Sequence, residues 1–154
     1  MTRAVPDGGP IEAHTDLVKK LDYECELAVV LGRDARDVPA GQTRDYIFGY
    51  TILNDVSARD VQTAHKQWYF GKSLDGFTPI GPCIVTADAF ADYPPRLGIR
   101  SFVNGEKRQD SNTALQIFDI DHVIAELSQG MTLKAGTIIA TGTPCLLYTS
   151  PSPR

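Results

Sequence analysis

The segment Tyr23-Glu24-Cys25-Glu26-Leu27 sets two carboxylates two residues apart in a run that otherwise reads as an apolar strand. Residues i and i+2 of a strand share a face, so these side chains leave the backbone ~6.6 Å apart at ~3.3 Å per residue. Like charges on one face are unfavourable unless a cation lies between them. Two oxygens so placed converge on a hard divalent ion, and a third carboxylate completes a site for Mg2+, Mn2+ or Ca2+. The plainer alternative is a solvated strand face. Asp55 is the candidate third ligand, because it follows the apolar run Tyr46–Leu53 at the point where side chains reach a cleft mouth. Its alternative is a turn or helix cap within Asn54–Asp60.

Lys72 follows Gly71 and precedes Ser73 in a stretch rich in Gly and Pro. Glycine permits close backbone approach, and a lysine there could set a cation beside developing negative charge. Otherwise it is a solvated loop lysine. The triplet Gly71-Lys72-Ser73 ends like a phosphate-binding loop, but that motif needs a glycine at position 66, which is Lys. A zinc site is disfavoured, since His14, His65, His122 and the three cysteines lack ligand spacing. Cys25 and Cys83 fall in strand runs and are expected to be buried spectators.

The elements that would position these groups are mostly strands. Met1–Lys20 shows no apolar period and is expected to be an irregular lead-in. Leu21–Gly32 alternates, with Cys25, Leu27, Val29 and Leu31 on one face and Glu24, Glu26, Ala28 and Val30 on the other. Tyr46–Leu53 is a second strand and Val56–Ala64 a short helical turn. Gly71–Pro82 reads as loop and Cys83–Ala87 as strand. Ile99–Val103 and Glu106–Gln109 flank Asn104-Gly105, which accepts the positive φ angles of a tight hairpin turn. Ile120, Val123, Ile124 and Leu127 have helical spacing, with Asp119 as N-cap and Gly130 as the stop. Thr137–Thr141 is a last strand. The expected class is a β-dominated α+β fold.

Composition bounds the partners. The 154 residues carry 15 Lys+Arg against 19 Asp+Glu, a net charge of −4, which argues against nucleic acid or an anionic membrane as partner. No apolar run approaches the ~20 residues of a membrane span. Three cysteines without framework spacing, and no visible secretory signal, point to a reducing, cytoplasmic location.

Five pieces of the chain together resemble the fumarylacetoacetate hydrolase family: LDYECELAVVLG (21–32), GYTILNDVSARDVQ (49–62), QWYFGKSLDGFTPIGP (67–82), VNGEKRQDSNT (103–113) and LSQGMTLKAGTIIATGTP (127–144). Five pieces in order are far more specific than any one motif. The resemblance is to the bacterial subgroup of 2-hydroxyhepta-2,4-diene-1,7-dioate isomerases, fumarylpyruvate hydrolases and acylpyruvases. It implies a mixed β-roll and a divalent metal, Mg2+ or Mn2+ and sometimes Ca2+, on Glu24, Glu26 and Asp55. It further implies that Lys72 faces a developing enolate or oxyanion. Arg59, Gln62 and Thr143 match substrate-contacting positions, Thr143 as a contact to a substrate carboxylate. The implied reaction is hydrolysis of a C–C bond in a 2-oxo acid or acylpyruvate through a metal-held enolate. The alternatives are isomerisation, oxaloacetate-type decarboxylation, or a metal-binding remnant without turnover. A homodimer is the implied assembly.

The family's proton-handling His and Glu belong to an upstream motif, Asn-Tyr-x-x-His-x-x-Glu, that nothing here matches. His14 lacks that context and receives no such role. The family also continues past Thr143-Pro144 with further strands, whereas this chain runs into CLLYTSPSPR. The expectation is therefore a lead-in over 1–20 and a catalytic core over 21–144, with a non-native or disordered tail over 145–154. The β-roll would then be incomplete at both ends, as in a fragment of a longer gene.

Overall fold

The computed structural model describes residues 4–64 and 66–144. In chain order the elements are β1 (Ala4–Pro6), β2 (Leu21–Asp22), β3 (Cys25–Leu31), β4 (Ile47–Asn54), β5 (Ser57–Ala58), α1 (Arg59–Ala64), α2 (Trp68–Lys72), β6 (Thr78–Thr86), β7 (Gly98–Val103), β8 (Glu106–Asn112), α3 (Ile120–Ser128) and β9 (Ile138–Ala140). Five strands form one sheet in the order β1-β6-β4-β3-β9, and β2-β5 and β7-β8 make two small ribbons. Among the described residues only β1 and β6 pair in parallel, so the main sheet is mixed.

β3 is the spine of the sheet, and every one of its residues is buried. A strand covered on both faces reads as a near-continuous apolar run, which is what Leu27–Leu31 is. On one face Leu27, Val29 and Leu31 pack with Tyr50, Ile139 and the α3 residues Ile120 and Ile124. A second cluster gathers Val18, Val56, Ala58, Val61 and Phe77. α3 begins as its sequence predicts, with the Asp119 carboxylate accepting from His122 N–H at 2.8 Å. At the predicted hairpin turn Asn104 and Gly105 take φ of 52° and 81°.

Three expectations are corrected. The lead-in contains a strand: Ala4–Pro6 pairs with Thr78–Ile80, a contact distant in sequence that no local periodicity reveals. The loop expected over Gly71–Pro82 is a helix end followed by a strand, because β6 starts at Thr78 and runs through two prolines against β4. Cys83 is exposed, whereas Cys25 is buried as expected. Among the described residues no helix is long and apolar enough to cross a membrane. The expected tail, 145–154, and His65 lie outside the described residues.

Candidate active site

Antiparallel pairing places Cys25 opposite Asn54, so Glu24 and Asp55 lie side by side where β3 begins and β4 ends. Asp55 N–H donates to the Glu24 carbonyl at 2.9 Å. Glu24, Glu26 and Asp55 thereby bring one carboxylate oxygen each within 4.8 Å of one another. They are 8%, 2% and 8% exposed, so this is no solvated strand face. Nor is Asp55 a helix cap, since its Oδ2 lies 2.6 Å from Lys72 Nζ.

Two cations enter the cluster. Lys72 Nζ, at the end of α2 rather than in a loop, lies 2.6 Å from Asp55 Oδ2 and 3.0 Å from Glu24 Oε2. Its side chain is 15% exposed, which removes the solvated alternative. Gly71 makes this approach possible: a Cβ there would stand 2.7 Å from Gln62 N on α1. Arg59 Nη2 lies 2.6 Å from Glu24 Oε1 and 2.9 Å from Asp22 Oδ2, while Nη1 donates to Gln62 Oε1 at 3.1 Å. Asp22 shares the period-two face of Glu24 and Glu26, a signal that could have revealed it in the sequence.

The three carboxyls are not equivalent. Burial alone would raise Glu24, but the Lys72 ammonium and the Arg59 guanidinium outweigh it and hold its carboxyl below the usual range. Burial raises Asp55 above its ordinary value, against the pull of Lys72. Glu26 is pushed up to about 8, first by burial and then by the neighbouring Asp55, although Gly142 N–H donates to its Oε2 at 2.9 Å. Asp55 Oδ1 is buried with no hydrogen-bond partner among the described residues.

Among the described residues, Asp22, Glu24, Glu26 and Asp55 face Lys72 and Arg59. With Glu26 pushed up, the cluster carries its full negative charge only when a further cation joins it, and fully ionised it falls short by one divalent charge. Hard oxygens at this spacing, one of them orphaned, fit Mg2+, Mn2+ or Ca2+ rather than a thiophilic metal. The residues present therefore fit the ion that the sequence resemblance implies.

Gln62 is buried beside Arg59. Thr143 follows directly on Gly142, and its Oγ1 accepts from Gln109 Nε2 at 3.2 Å. Gly142 and Gln109 lie in two of the pieces that carry the resemblance, but residue spacing gave neither a role, because the Gly142–Glu26 and Gln109–Thr143 bonds join residues more than 30 apart. His14 stands elsewhere, with Nε2 2.8 Å from the Asp75 carbonyl and its ring edge-on to Phe77.

Residues 2–152 match the family model described as fumarylacetoacetate (FAA) hydrolase C-terminal. The chain belongs to the fumarylacetoacetate hydrolase family. Its mixed, strand-dominated architecture is the one this family shares, as the resemblance implied. It is 47% identical over 137 residues to an oxaloacetate tautomerase of Bacillus subtilis, covering 89% of this chain and 45% of that protein. It superposes on a fumarylacetoacetate hydrolase from the psychrophile Exiguobacterium antarcticum with a TM-score of 0.86 and 49% identity, covering 91% of this chain and 50% of that one. A fumarylpyruvate hydrolase from Pseudomonas aeruginosa, in complex with Mn2+ and pyruvate, gives a TM-score of 0.80 at 29% identity, covering 92% and 62%. The family thus includes both hydrolases and a tautomerase. The chain spans about half the length of the first two relatives.

Proposed function

We propose that this site holds one divalent cation and acts on a 2-oxo acid, and that it serves cleavage of the C–C bond of an acylpyruvate. The observation that carries the reading is the buried carboxylate trio, its oxygens within 4.8 Å of one another and Asp55 Oδ1 unpartnered among the described residues. Glu24, Glu26 and Asp55 would hold Mg2+ or Mn2+, with Ca2+ as a further candidate. When bound, such an ion supplies Lewis acidity toward the substrate's carbonyl oxygen.

The chain's own residues divide the remaining work. Hydrolysis consumes one water, whose oxygen bonds to the acyl carbon. The C–C bond breaks toward the pyruvate half, which leaves as an enolate and is then protonated. Lys72 has three N–H donors; Asp55 and Glu24 take two, and the third serves the oxygen on which charge grows. Arg59 keeps Glu24 ionised and pins it to Asp22, and Gln62 steadies the guanidinium from α1. Arg59 and Gln62 face the substrate from this side, and Thr143 receives its carboxylate from the other. The working core extends beyond 21–144 to include β1, and a cytoplasmic homodimer completes the proposal.

A second reading, keto–enol tautomerisation of oxaloacetate, is favoured by the 47% identity to the Bacillus subtilis tautomerase. It needs only a proton moved between carbon and oxygen. One experiment serves both readings. Mn2+ is titrated calorimetrically into the wild-type chain and Glu24→Ala, and each is then assayed with an acylpyruvate and with oxaloacetate. Hydrolysis releases two acids, decarboxylation releases CO2, and tautomerisation releases neither. Equal Mn2+ binding by both proteins would remove the metal site. Binding without turnover of either substrate identifies a metal-binding remnant.

A further inference from the structure

Gln109 lies on β8, in a ribbon separate from the main sheet, and contributes no group to the carboxylate cluster. Yet it is 2% exposed, and its side-chain amide ends at the heart of the site. Oε1 accepts from Cys25 N–H at 3.0 Å and from Ser101 Oγ at 2.9 Å, while Nε2 donates to Thr143 Oγ1 at 3.2 Å. Cys25 is the residue between Glu24 and Glu26. The last β9 residue paired with β3 is Ala140, opposite Ala28, so the ladder does not extend to Cys25. The Gln109 amide replaces the missing ladder partner there. A buried N–H left without one would cost about 1–3 kcal/mol.

The direction of these bonds carries chemical information. A backbone N–H only donates, so the atom facing Cys25 must be the amide oxygen, and the atom facing Thr143 must be the –NH2. That group only donates, so the Thr143 hydroxyl accepts. Its own single proton is therefore turned away from Gln109 and is available to another acceptor. The neighbouring Gly142 N–H already serves Glu26. We propose that Gln109 is a positioning residue that locks the strand between the two glutamates and turns the Thr143 O–H outward as a donor to a carboxylate of the substrate.

This proposal rests on the metal-site reading above, and its test separates the two. Mn2+ is titrated into the wild-type chain, and oxalate, a compact stand-in for a 2-oxo acid, is then titrated into the Mn2+-saturated protein. Thr143→Val and Gln109→Met should each weaken oxalate about tenfold, the weight of one hydrogen bond to a charged group. The double variant should be little worse than either single one, because one removes the Thr143 O–H and the other the donor that aims it, so both act through the same group. Thr143→Ser keeps the hydroxyl and should retain affinity; a tenfold loss there as well would overturn the role of the Thr143 O–H. If Gln109→Met does not fold, Gln109→Asn, one methylene too short to reach both partners, takes its place in the cycle. Wild-type protein that takes up no Mn2+ overturns the site itself. Wild-type that takes up Mn2+ but not oxalate overturns the substrate class and this proposal together. Additive losses in the double variant, or full oxalate affinity in Gln109→Met, overturn the role of Gln109 alone.

Discussion

Along its C-terminal half β3 sets Leu27, Val29 and Leu31 into an apolar cluster with Tyr50, Ile124 and Ile139. At its N-terminal end the same strand leads in with Glu24 and Glu26, which meet Asp55, Lys72 and Arg59. Both regions are buried, and they are held in different ways. The apolar half has sheet neighbours on both edges, β4 and β9, and its stability comes from removing apolar surface from water. The acidic end lies past the reach of β9, and side chains from distant elements take over: Gln109 for Cys25 N–H, Asn54 for Glu24 N–H, Lys72 and Arg59 for the charge. The difference teaches that one strand can anchor the core and present ligands at once, provided the ladder on one of its edges, here that with β9, ends before the ligands begin.

The contrast can be tested from both ends. The largest effect should follow Lys72→Met, which strips buried Asp55 of its charged partner, leaves Glu24 to Arg59 alone and costs about 3–5 kcal/mol in the metal-free chain. Urea unfolding should show that saturating Mn2+ restores most of this loss. A loss equal with and without Mn2+ would mean that Lys72 does not neutralise the cluster. Next comes Ile124→Ala in the apolar half, expected to cost about 2–5 kcal/mol while leaving Mn2+ affinity of the folded protein unchanged. Weaker Mn2+ binding there would join the two regions energetically.

The smallest effect should come from Asp34, an exposed residue that ties the turn before β9 to the end of β3. Its carboxylate takes Lys134 Nζ at 2.6 Å and Ala135 N–H at 2.9 Å. These contacts hold its carboxyl below the usual value of 3.8. A depressed folded pKa contributes stability that is present above the unfolded value and lost as pH falls through the folded one. Asp34→Ala should therefore lower Tm slightly at neutral pH, and the difference from wild type should vanish on strong acidification. A difference that persists in acid would place the effect outside the ion pair.

Much of the site was legible in residue spacing. Glu24 and Glu26 share a face because strand periodicity is two, and Asp55 ends the next apolar run. The α3 cap at Asp119 and the Asn104-Gly105 turn were equally local. The strand at Ala4–Pro6 was illegible because its pairing with β6 spans more than 70 residues. The start of β6 was hidden by its prolines, which read as loop punctuation.

What the sequence determined by itself is the inventory: two carboxylates at strand spacing, a third at a strand end, a lysine after glycine, and an apolar spine between them. Those follow from backbone geometry over a few residues. Tertiary structure alone decided that the carboxylates are buried, that Lys72 reaches them from a helix end, and that Gln109 and Gly142 hold them from afar. Burial and long-range hydrogen bonds depend on which elements pack together. That choice is settled by the whole core at once.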